Sequence, residues 1–264
     1  MKGGRFADLS LRMGSGIAMA GLGLGAVWAG GLVFTALCGL LAALMIWELS
    51  RMLHAQARQR LWVALGAAAA AAVVAAPNLA MPWNLVDLLA IGTLAVALPR
   101  GQRRVFALAA VAIVLGAASL AALRLQHPPF WTVWLILVVV ASDVAGYFAG
   151  RLLGGPKFWP RISPKKTWSG TLAGWALAAA VGWGTARHAG VEAAAPLAAL
   201  SAVTAFAAQM GDIGESWIKR RMSVKDSSGL LPGHGGVMDR FDGMTGAAVF
   251  LYLLMQITGF PAGL

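Results

Sequence analysis

Half of the acidic residues of this 264-residue chain lie within one short segment. The chain has ten Asp and Glu residues, and five of them fall between positions 212 and 242: Asp212, Glu215, Asp226, Asp239 and Asp242. Asp212 and Glu215 are three residues apart, as are Asp239 and Asp242, so each pair shares one face wherever the segment is helical. Carboxylate oxygens are the preferred ligands of hard cations. The spacing therefore predicts a Mg²⁺ site.

Ion pairing is the alternative interpretation of the same acids. Glu215 and Lys219 form a favourable i,i+4 pair on a helix. Asp239 and Asp242, near a helix N-terminus, would be stabilised by the helix dipole by about 0.3–1 kcal/mol each. The spacing alone does not distinguish a metal site from a set of salt bridges, and both interpretations stay open.

Glycines surround a histidine between the two acidic pairs. The segment 225–243 reads KDSSGLLPGHGGVMDRFDG, with His234 between Gly233 and Gly235. Glycine permits backbone conformations whose N–H groups wrap a phosphate, although a simple turn between two helices uses the same residues. Cations suited to phosphate binding lie nearby in the sequence, namely Lys219, Arg220, Lys225 and Arg240. The segment predicts a phosphate-binding loop, with a turn as the alternative.

A second polar segment, ISPKKTW at 162–168, precedes an apolar stretch. Its polar side chains are Ser163, Lys165, Lys166 and Thr167. Lysines beside hydroxyls at the start of a helix suit an anionic headgroup or a nucleotide phosphate. A positive charge that serves only membrane topology is the alternative.

Some ionisable residues lie within or beside the apolar stretches. Asp143 precedes Arg151 by eight residues, or about 12 Å of helix. A carboxylate at that membrane depth is a candidate functional residue. Asp87 suits a hydrogen bond between helices, and the sequence leaves the roles of Glu48 and His54 open.

Membrane helices must position these groups. The chain is 59% apolar with a mean hydropathy of +0.73, which predicts an all-α, polytopic integral membrane protein. Stretches of roughly 17–25 apolar residues indicate single crossings, and one longer run is divided at Gly30 and Gly31. About nine transmembrane helices are predicted, at 14–29, 32–48, 61–76, 79–98, 105–124, 130–150, 169–186, 194–210 and 243–260.

The basic residues indicate the orientation. With a cytoplasmic N-terminus, all 21 Lys and Arg residues except Arg124 and Arg187 fall on the cytoplasmic side, as the positive-inside rule requires. This asymmetry and anionic lipid headgroups explain the net charge of +11, so no nucleic-acid partner is expected. We expect about five scaffold helices at 1–129 and a catalytic region at 130–264. Cys38 is the only cysteine, which excludes an intramolecular disulfide and a cysteine-cluster metal site.

The run SWIKRRMSVKDSSGLLPGHGGVMDRFD at 216–242 closely resembles the signature of the phosphatidate cytidylyltransferase (CDP-diacylglycerol synthase) family. SDVAGYFAGRLLG and ISPKKTW resemble two further stretches of that family, so the similarity covers about 130–264. Ser169 departs from the acidic or amide residue that the family often has after SPKKTW. The matching signature positions are Ser216, Lys219, Arg220, Lys225, Asp226, Pro232, His234, Gly235, Gly236, Asp239, Arg240 and Asp242.

The resemblance implies a nucleotidyltransferase of phospholipid biosynthesis that converts CTP and phosphatidate to CDP-diacylglycerol and pyrophosphate. It implies Mg²⁺, with or without a monovalent cation, and leaves the use of dCTP open. It also implies a homodimer in the bacterial inner (plasma) membrane with its active site on the cytoplasmic side.

The resemblance also assigns roles to particular residues. Asp212 and Asp239 are the principal metal ligands that it implies, with Asp242 and Glu215 in support. The expected catalytic residues are Asp212, Asp239, Lys219, Arg220, Lys225, Asp226, His234 and Arg240. The expected substrate-binding residues are Asp143, Ser163, Lys165, Lys166, Thr167, Ser216, Gly235 and Gly236.

Two other classes compete with this interpretation. A CTP-dependent lipid kinase of the dolichol or phytol type resembles the family in its membrane core but transfers the terminal phosphate to an alcohol. The KD, PGHGG and DRFD stretches favour the cytidylyltransferase. A transporter whose intramembrane acids bind a coupling cation is the second rival, but the acids cluster at one membrane face and the halves show no inverted repeat.

Overall fold

The computed structural model describes residues 3–53, 59–76, 102–190, 192 and 194–261. Helices dominate these ranges because the apolar stretches must satisfy their backbone hydrogen bonds internally. The fourth predicted span at 79–98, which includes Asp87, lies outside the described residues, as does His54. The helices are α1 Gly3–Ala29, α2 Gly31–Leu53, α3 Gln59–Ala75, α4 Arg103–Gln126, α5 Pro129–Leu152, α6 Trp168–Ala189, α7 Ala194–Arg221 and α8 Met238–Thr258.

Five helices in the described ranges are long and apolar enough to cross a bilayer, namely α2, α4, α5, α7 and α8. Shorter apolar stretches lie at Met13–Ala29 and Arg60–Ala75. These helices confirm the predicted all-α, multi-helix membrane architecture. Each described helix overlaps one predicted span, and the total of nine stays a prediction.

The break between the first two spans lies at the glycine pair, as predicted: α1 ends at Ala29 and α2 begins at Gly31. Gly30 and Gly31 have φ of 62° and 48°, in the left-handed region that side chains disfavour. Arg124 Nε donates to Val27 O at 2.7 Å and so caps the end of α1. Arg124 is one of the two basic residues that the predicted orientation places away from the cytoplasm, and this hydrogen bond gives a local structural reason for it.

The described chain divides into two compact units. Unit 1 comprises 1–129 with 221–241, and unit 2 comprises 130–220 with 242–264. In unit 1, α2 packs against α3 and α4, and α3 packs against α4. The segment 221–241, which carries the glycine-rich signature, therefore groups with the N-terminal helices.

Small residues let the helices of unit 2 approach closely. A Cβ on Gly170 of α6 would lie within 2.5 Å of the Gly146 carbonyl oxygen of α5, and a Cβ on Gly182 would overlap the Ser201 hydroxyl of α7. Trp134 is fully buried and donates its indole N–H to Ser201 Oγ at 3.0 Å. Close backbone approach of this kind is the usual means of packing helices in lipid.

The segment between α5 and α6 forms a β-hairpin rather than an irregular loop. β1 (Lys157–Trp159) and β2 (Ser163–Thr167) pair antiparallel, with Lys157 opposite Thr167 and Trp159 opposite Ser163. Thr167 then caps α6 because its hydroxyl accepts from Gly170 N at 3.2 Å. The hairpin holds the lysines of ISPKKTW at the start of this helix.

Candidate functional site

Three carboxylates meet in unit 2. Ligand oxygens of Asp212 and Glu215, on α7, and of Asp242, on α8, all lie within 4.8 Å of one another. Glu215 is buried, with 4% of its surface exposed, while Asp212 and Asp242 are partly exposed. We call these three residues the carboxylate cluster. The structure thus brings together three of the four predicted metal ligands.

Glycines explain why α7 and α8 can bring these acids together. A Cβ on Gly211, next to Asp212, would overlap the Asp242 carbonyl oxygen and lie 3.0 Å from Gly246 Cα. A Cβ on Gly246 would likewise overlap the Ala207 carbonyl oxygen. Only glycine at both positions permits this approach. The crossing therefore places the acids of α7 beside Asp242.

Two lysines offset part of the negative charge. Lys166 Nζ lies 2.5 Å from Asp212 Oδ2, and Lys219 Nζ lies 2.6 Å from Glu215 Oε2. The second contact is the predicted i,i+4 ion pair, and it coexists with the cluster. Asp212 Oδ1 also accepts from Ser216 Oγ at 3.3 Å. The metal-site and salt-bridge interpretations are therefore compatible within one set of residues.

A cavity of about 440 Å³ in unit 2 has Asp212 in its wall. It is lined by the predicted residues Asp143, Ser163, Lys165, Lys166 and Thr167, and also by Arg151. We call it the cationic cavity, since Arg151, Lys165 and Lys166 contribute three positive groups. Cations and hydroxyls around a concave surface suit a phosphate-bearing ligand.

Buried hydrogen bonds support the wall of the cationic cavity. Gln209, one turn before Asp212 on α7, accepts from Trp175 Nε1 at 3.0 Å and donates to Ser142 Oγ at 3.2 Å. Lys166 Nζ donates to the Gln209 carbonyl oxygen at 3.5 Å. These bonds link α5, α6 and α7 around the cavity. They also hold Lys166 beside Asp212.

The predicted glycine-rich loop, residues 225–237, belongs to unit 1 and contains a tight turn. His234 N donates to Leu231 O at 2.9 Å, and Leu231 N donates to Gly235 O at 2.8 Å. Pro232 and Gly233 occupy the two central positions, and Gly233 has a φ of 74°. Proline followed by a glycine with positive φ is typical of a type II turn. The segment has the turn geometry, and its phosphate-binding role stays a prediction.

Asp239 stands in the first turn of α8 and accepts hydrogen bonds from the loop. Its Oδ2 accepts from Ser227 N at 2.8 Å, Ser227 Oγ at 2.9 Å and Gly236 N at 2.8 Å. Gly235 also stands against this carboxylate, because a Cβ there would lie 2.9 Å from Oδ2. Asp239 therefore fixes the shape of the predicted binding loop.

Other predicted catalytic residues lie in or beside this loop. His234 Nδ1 is 2.8 Å from Ser15 Oγ of α1, and Arg240 Nε donates to the His234 carbonyl oxygen at 3.0 Å. Lys225, Asp226 and Arg240 are exposed. Arg220, on α7 in unit 2, is exposed as well.

Three residues of these regions, Arg151, Gln209 and Glu48, were not assigned a role from the sequence. Asp143, Tyr147 and Arg151 are spaced by four along α5, and Arg151 Nη1 donates to Tyr147 Oη at 2.8 Å. That spacing is a signal that could have identified Arg151. The sequence signal for Gln209 is weaker: it precedes Asp212 by three residues, a spacing that places both on one face of a helix. Glu48 has no local signal, because its partners lie about 180–190 residues later.

Comparison with known proteins gives one family. The profile of the Cytidylyltransferase family matches residues 10–258. Phosphatidate cytidylyltransferase of Brucella suis biovar 1 (strain 1330) is 46% identical over 147 residues, or 55% of this chain and 54% of that protein. The enzyme of the same name from Helicobacter pylori (strain J99 / ATCC 700824) is 45% identical over 125 residues, covering 47% and 46%.

A more divergent relative has the same name. Phosphatidate cytidylyltransferase of Bacillus subtilis (strain 168) is 36% identical over 135 residues, or 50% of this chain and 49% of that protein. The chain spans about half the length of the curated relatives it matches. The family match confirms the resemblance inferred from the signature residues.

Proposed function

Because this chain belongs to the cytidylyltransferase family, we propose that it is a phosphatidate cytidylyltransferase. The reaction converts CTP and phosphatidate to CDP-diacylglycerol and pyrophosphate. One observation carries the proposal beyond the family: Asp212 belongs both to the carboxylate cluster and to the wall of the cationic cavity. A candidate cation site and a cavity lined by positive groups thus share one residue.

The donor chemistry of the carboxylate cluster fits Mg²⁺. Its oxygens are hard ligands within 4.8 Å of one another, and oxygens bound to one Mg²⁺ at about 2.1 Å lie no more than about 4.2 Å apart. A side-chain adjustment below about 1 Å therefore brings Asp212, Glu215 and Asp242 into range. When bound there, Mg²⁺ would supply positive charge at phosphate oxygens.

The protein's own cations would position the nucleotide. In our proposal Arg151, Lys165 and Lys166 bind the CTP phosphates in the cationic cavity. Asp143, Ser163 and Thr167 contribute further polar groups to its wall. Positioning and charge stabilisation are the main requirements of reactions at phosphorus.

The chemical step needs no strong general base. A phosphate monoester has a second pKa near 6, so the attacking phosphatidate oxygen is already largely ionised at neutral pH. It forms a bond to the α-phosphorus of CTP, and the bond from that phosphorus to the bridging oxygen breaks to release pyrophosphate. We assign stabilisation of the developing charge to Lys219, Arg220, Lys225, His234 and Arg240.

The remaining assignments follow the family resemblance. Asp239 as a metal ligand, Asp226 as a catalytic residue and Ser216, Gly235 and Gly236 as substrate contacts are part of this proposal. Use of dCTP, a monovalent cation and a homodimer stay predictions.

A transfer assay distinguishes the reactions. Purified protein in detergent receives phosphatidate, Mg²⁺ and CTP labelled at the α-phosphate. We expect label to enter the lipid phase with an equal amount of pyrophosphate. If CDP forms instead, and γ-labelled CTP labels the lipid, the protein is a lipid kinase; if neither label moves in a folded preparation that binds CTP, the proposal is wrong.

We further propose that the polar residues face the cytoplasm of a bacterial inner membrane, as the basic residues indicate. The single cysteine allows a direct test in a Cys38→Ala background. Arg161→Cys lies in the hairpin, and Glu192→Cys lies in the segment between α6 and α7; both positions are exposed. A membrane-impermeant maleimide should label Glu192→Cys in spheroplasts and label Arg161→Cys only after permeabilisation. The reverse pattern would invert the orientation.

A further inference from the structure

Glu48 is a fully buried acid in α2, with 0% of its surface exposed. Burying a carboxylate is unfavourable unless hydrogen bonds replace the lost water. Four donors approach Glu48. Oε1 accepts from Ser228 Oγ at 2.6 Å and Val237 N at 2.9 Å, and Oε2 accepts from Ser227 Oγ at 3.1 Å and Met238 N at 2.7 Å.

The four donors lie at the two ends of the glycine-rich loop. Ser227 and Ser228 stand near its beginning, whereas Val237 and Met238 end it and start α8. Each carboxylate oxygen accepts one hydroxyl from the first pair and one backbone amide from the second. Glu48 therefore joins the two ends of the loop through both of its oxygens.

The contact is tightly packed at Gly236. A Cβ on Gly236 would overlap Ser227 Oγ and lie within 2.5 Å of Glu48 Oε1. The Ser227 hydroxyl lies between Glu48 Oε2 and Asp239 Oδ2, 3.1 Å and 2.9 Å away, and its single proton is shared between the two carboxylates. Glu48 and Asp239 thus hold the same serine from two helices.

We propose that Glu48 is a positioning residue that fixes the glycine-rich loop for cytidylyl transfer. The inference rests on the proposed function, in which Lys225, His234 and Arg240 of this region act on phosphates. It gives the N-terminal helices a part in the reaction besides that of a scaffold. Glu48 acts through the loop backbone and makes no contact with the reacting atoms.

Glu48→Gln tests this role with almost no change of volume. Each carboxylate oxygen accepts from one backbone amide, so the NH₂ group of glutamine must face the N–H of either Val237 or Met238, whichever way the side chain is turned. A hydroxyl can rotate to accept from that NH₂, but a backbone N–H cannot accept. At least one of the four hydrogen bonds is therefore lost.

The matched control is Ser50→Ala. Ser50 is also buried on α2, two residues further along, but its hydroxyl donates to Ile46 O of the same helix at 2.6 Å. Removing it changes a buried polar group of α2 without touching the loop. Ser228→Ala is a second test variant, since it removes one donor to Glu48 and leaves the carboxylate in place; it also removes the acceptor of Leu230 N within the loop.

The experiment combines hydrogen exchange with kinetics on the full chain in detergent. In Glu48→Gln we expect amide exchange over 226–238 to rise about tenfold, the scale of one lost hydrogen bond to a charged group, with α3 and α4 unchanged. We expect kcat to fall by a similar factor and the KM for CTP to change less, because the nucleotide cavity is formed by other residues. Ser228→Ala should shift both quantities in the same direction by less, and Ser50→Ala should match the wild type.

Several results would overturn the inference. The inference is wrong if Glu48→Gln shows wild-type exchange over 226–238 and wild-type kcat. It is also wrong if exchange rises uniformly throughout unit 1, because that indicates a general loss of stability. If Glu48→Gln does not fold, an unchanged Ser228→Ala would decide against the role. A wild-type chain without transfer activity would refute the proposed function, while the exchange comparison would still test the loop contact.

Discussion

The glycine crossing of α7 and α8 makes a quantitative prediction about the carboxylate cluster. In Gly211→Ala the new methyl group would lie 3.0 Å from Gly246 Cα and N and would overlap the Asp242 carbonyl oxygen. Carbon contacts are most favourable at about 3.5–4.0 Å, so the helices must separate locally by about 1 Å. Overpacking of this kind typically costs about 1–3 kcal/mol.

The same displacement should reduce activity as well as stability. The cluster oxygens already span up to 4.8 Å, and a further 1 Å takes them away from the spacing that one Mg²⁺ accepts. Misplacement of about 1 Å can reduce a rate by about 10²-fold. We therefore expect kcat/KM of Gly211→Ala to fall about 100-fold and the Mg²⁺ concentration for half-maximal activity to rise.

Gly214→Ala is the matched control for this prediction. Gly214 lies on the same helix, three residues after Gly211, and a Cβ there meets no atom within 4 Å. Alanine favours a helix over glycine by up to about 1 kcal/mol, so this variant should be active and at least as stable as the wild type. The assays are transfer of α-label from CTP to lipid across a Mg²⁺ titration, and thermal unfolding in the same detergent. Wild-type turnover and Mg²⁺ dependence in Gly211→Ala would refute the reasoning.

Three further substitutions test the other parts of the proposal. Asp239→Asn, in folded protein, should abolish lipid labelling, and substantial residual turnover would exclude the role of that carboxylate. Lys166→Met removes the 2.5 Å contact with Asp212 and should raise the KM for CTP about tenfold. Thermal unfolding should change little, because both side chains are partly exposed. An unchanged KM would mean that the nucleotide binds elsewhere. Gly233→Ala puts a side chain at a φ of 74° and should cost about 1–2 kcal/mol, whereas Gly229→Ala, with open space around its Cβ position, should unfold like the wild type.

Hydropathy predicted most of the helical architecture because the lipid environment restricts the choices. Apolar stretches have to form helices of a certain length, and the glycine pair at Gly30 and Gly31 correctly indicated a break. The ends of the helices were less predictable. The eighth span was expected to end at 210, yet α7 continues to Arg221, since the polar residues beyond the apolar stretch still form a regular helix.

The carboxylate cluster was only partly accessible from the sequence. Spacing by three residues identified Asp212 and Glu215 as neighbours on one face. The family resemblance implied Asp242 as a supporting ligand, but spacing alone did not place it beside them, because that depends on the close approach of Gly211 and Gly246. Side-chain contacts between helices are set by such packing, and a single sequence contains no direct record of them.

Glu48 shows the limit of local patterns most clearly. The sequence placed it beside the end of an apolar span, where an acid has many ordinary roles. Its donors come from a loop that follows about 180 residues later. Only folding of the 221–241 segment against α2 reveals that the acid is satisfied by that loop.

Asp239 and Asp242 illustrate how equal spacing can lead to different chemistry. The sequence treats them as one pair on α8. Asp239 Oδ2 accepts three hydrogen bonds from Ser227 and Gly236, whereas Asp242 Oδ1 accepts from the adjacent Gly243 N at 2.7 Å and the residue lies in the carboxylate cluster. A carboxylate that accepts several N–H and O–H groups shapes the chain around it, while acids gathered within a few ångströms of one another favour a bound cation. The loss of Asp239 therefore disturbs the loop as well as any metal that it binds, and the loss of Asp242 reports on the cluster more directly.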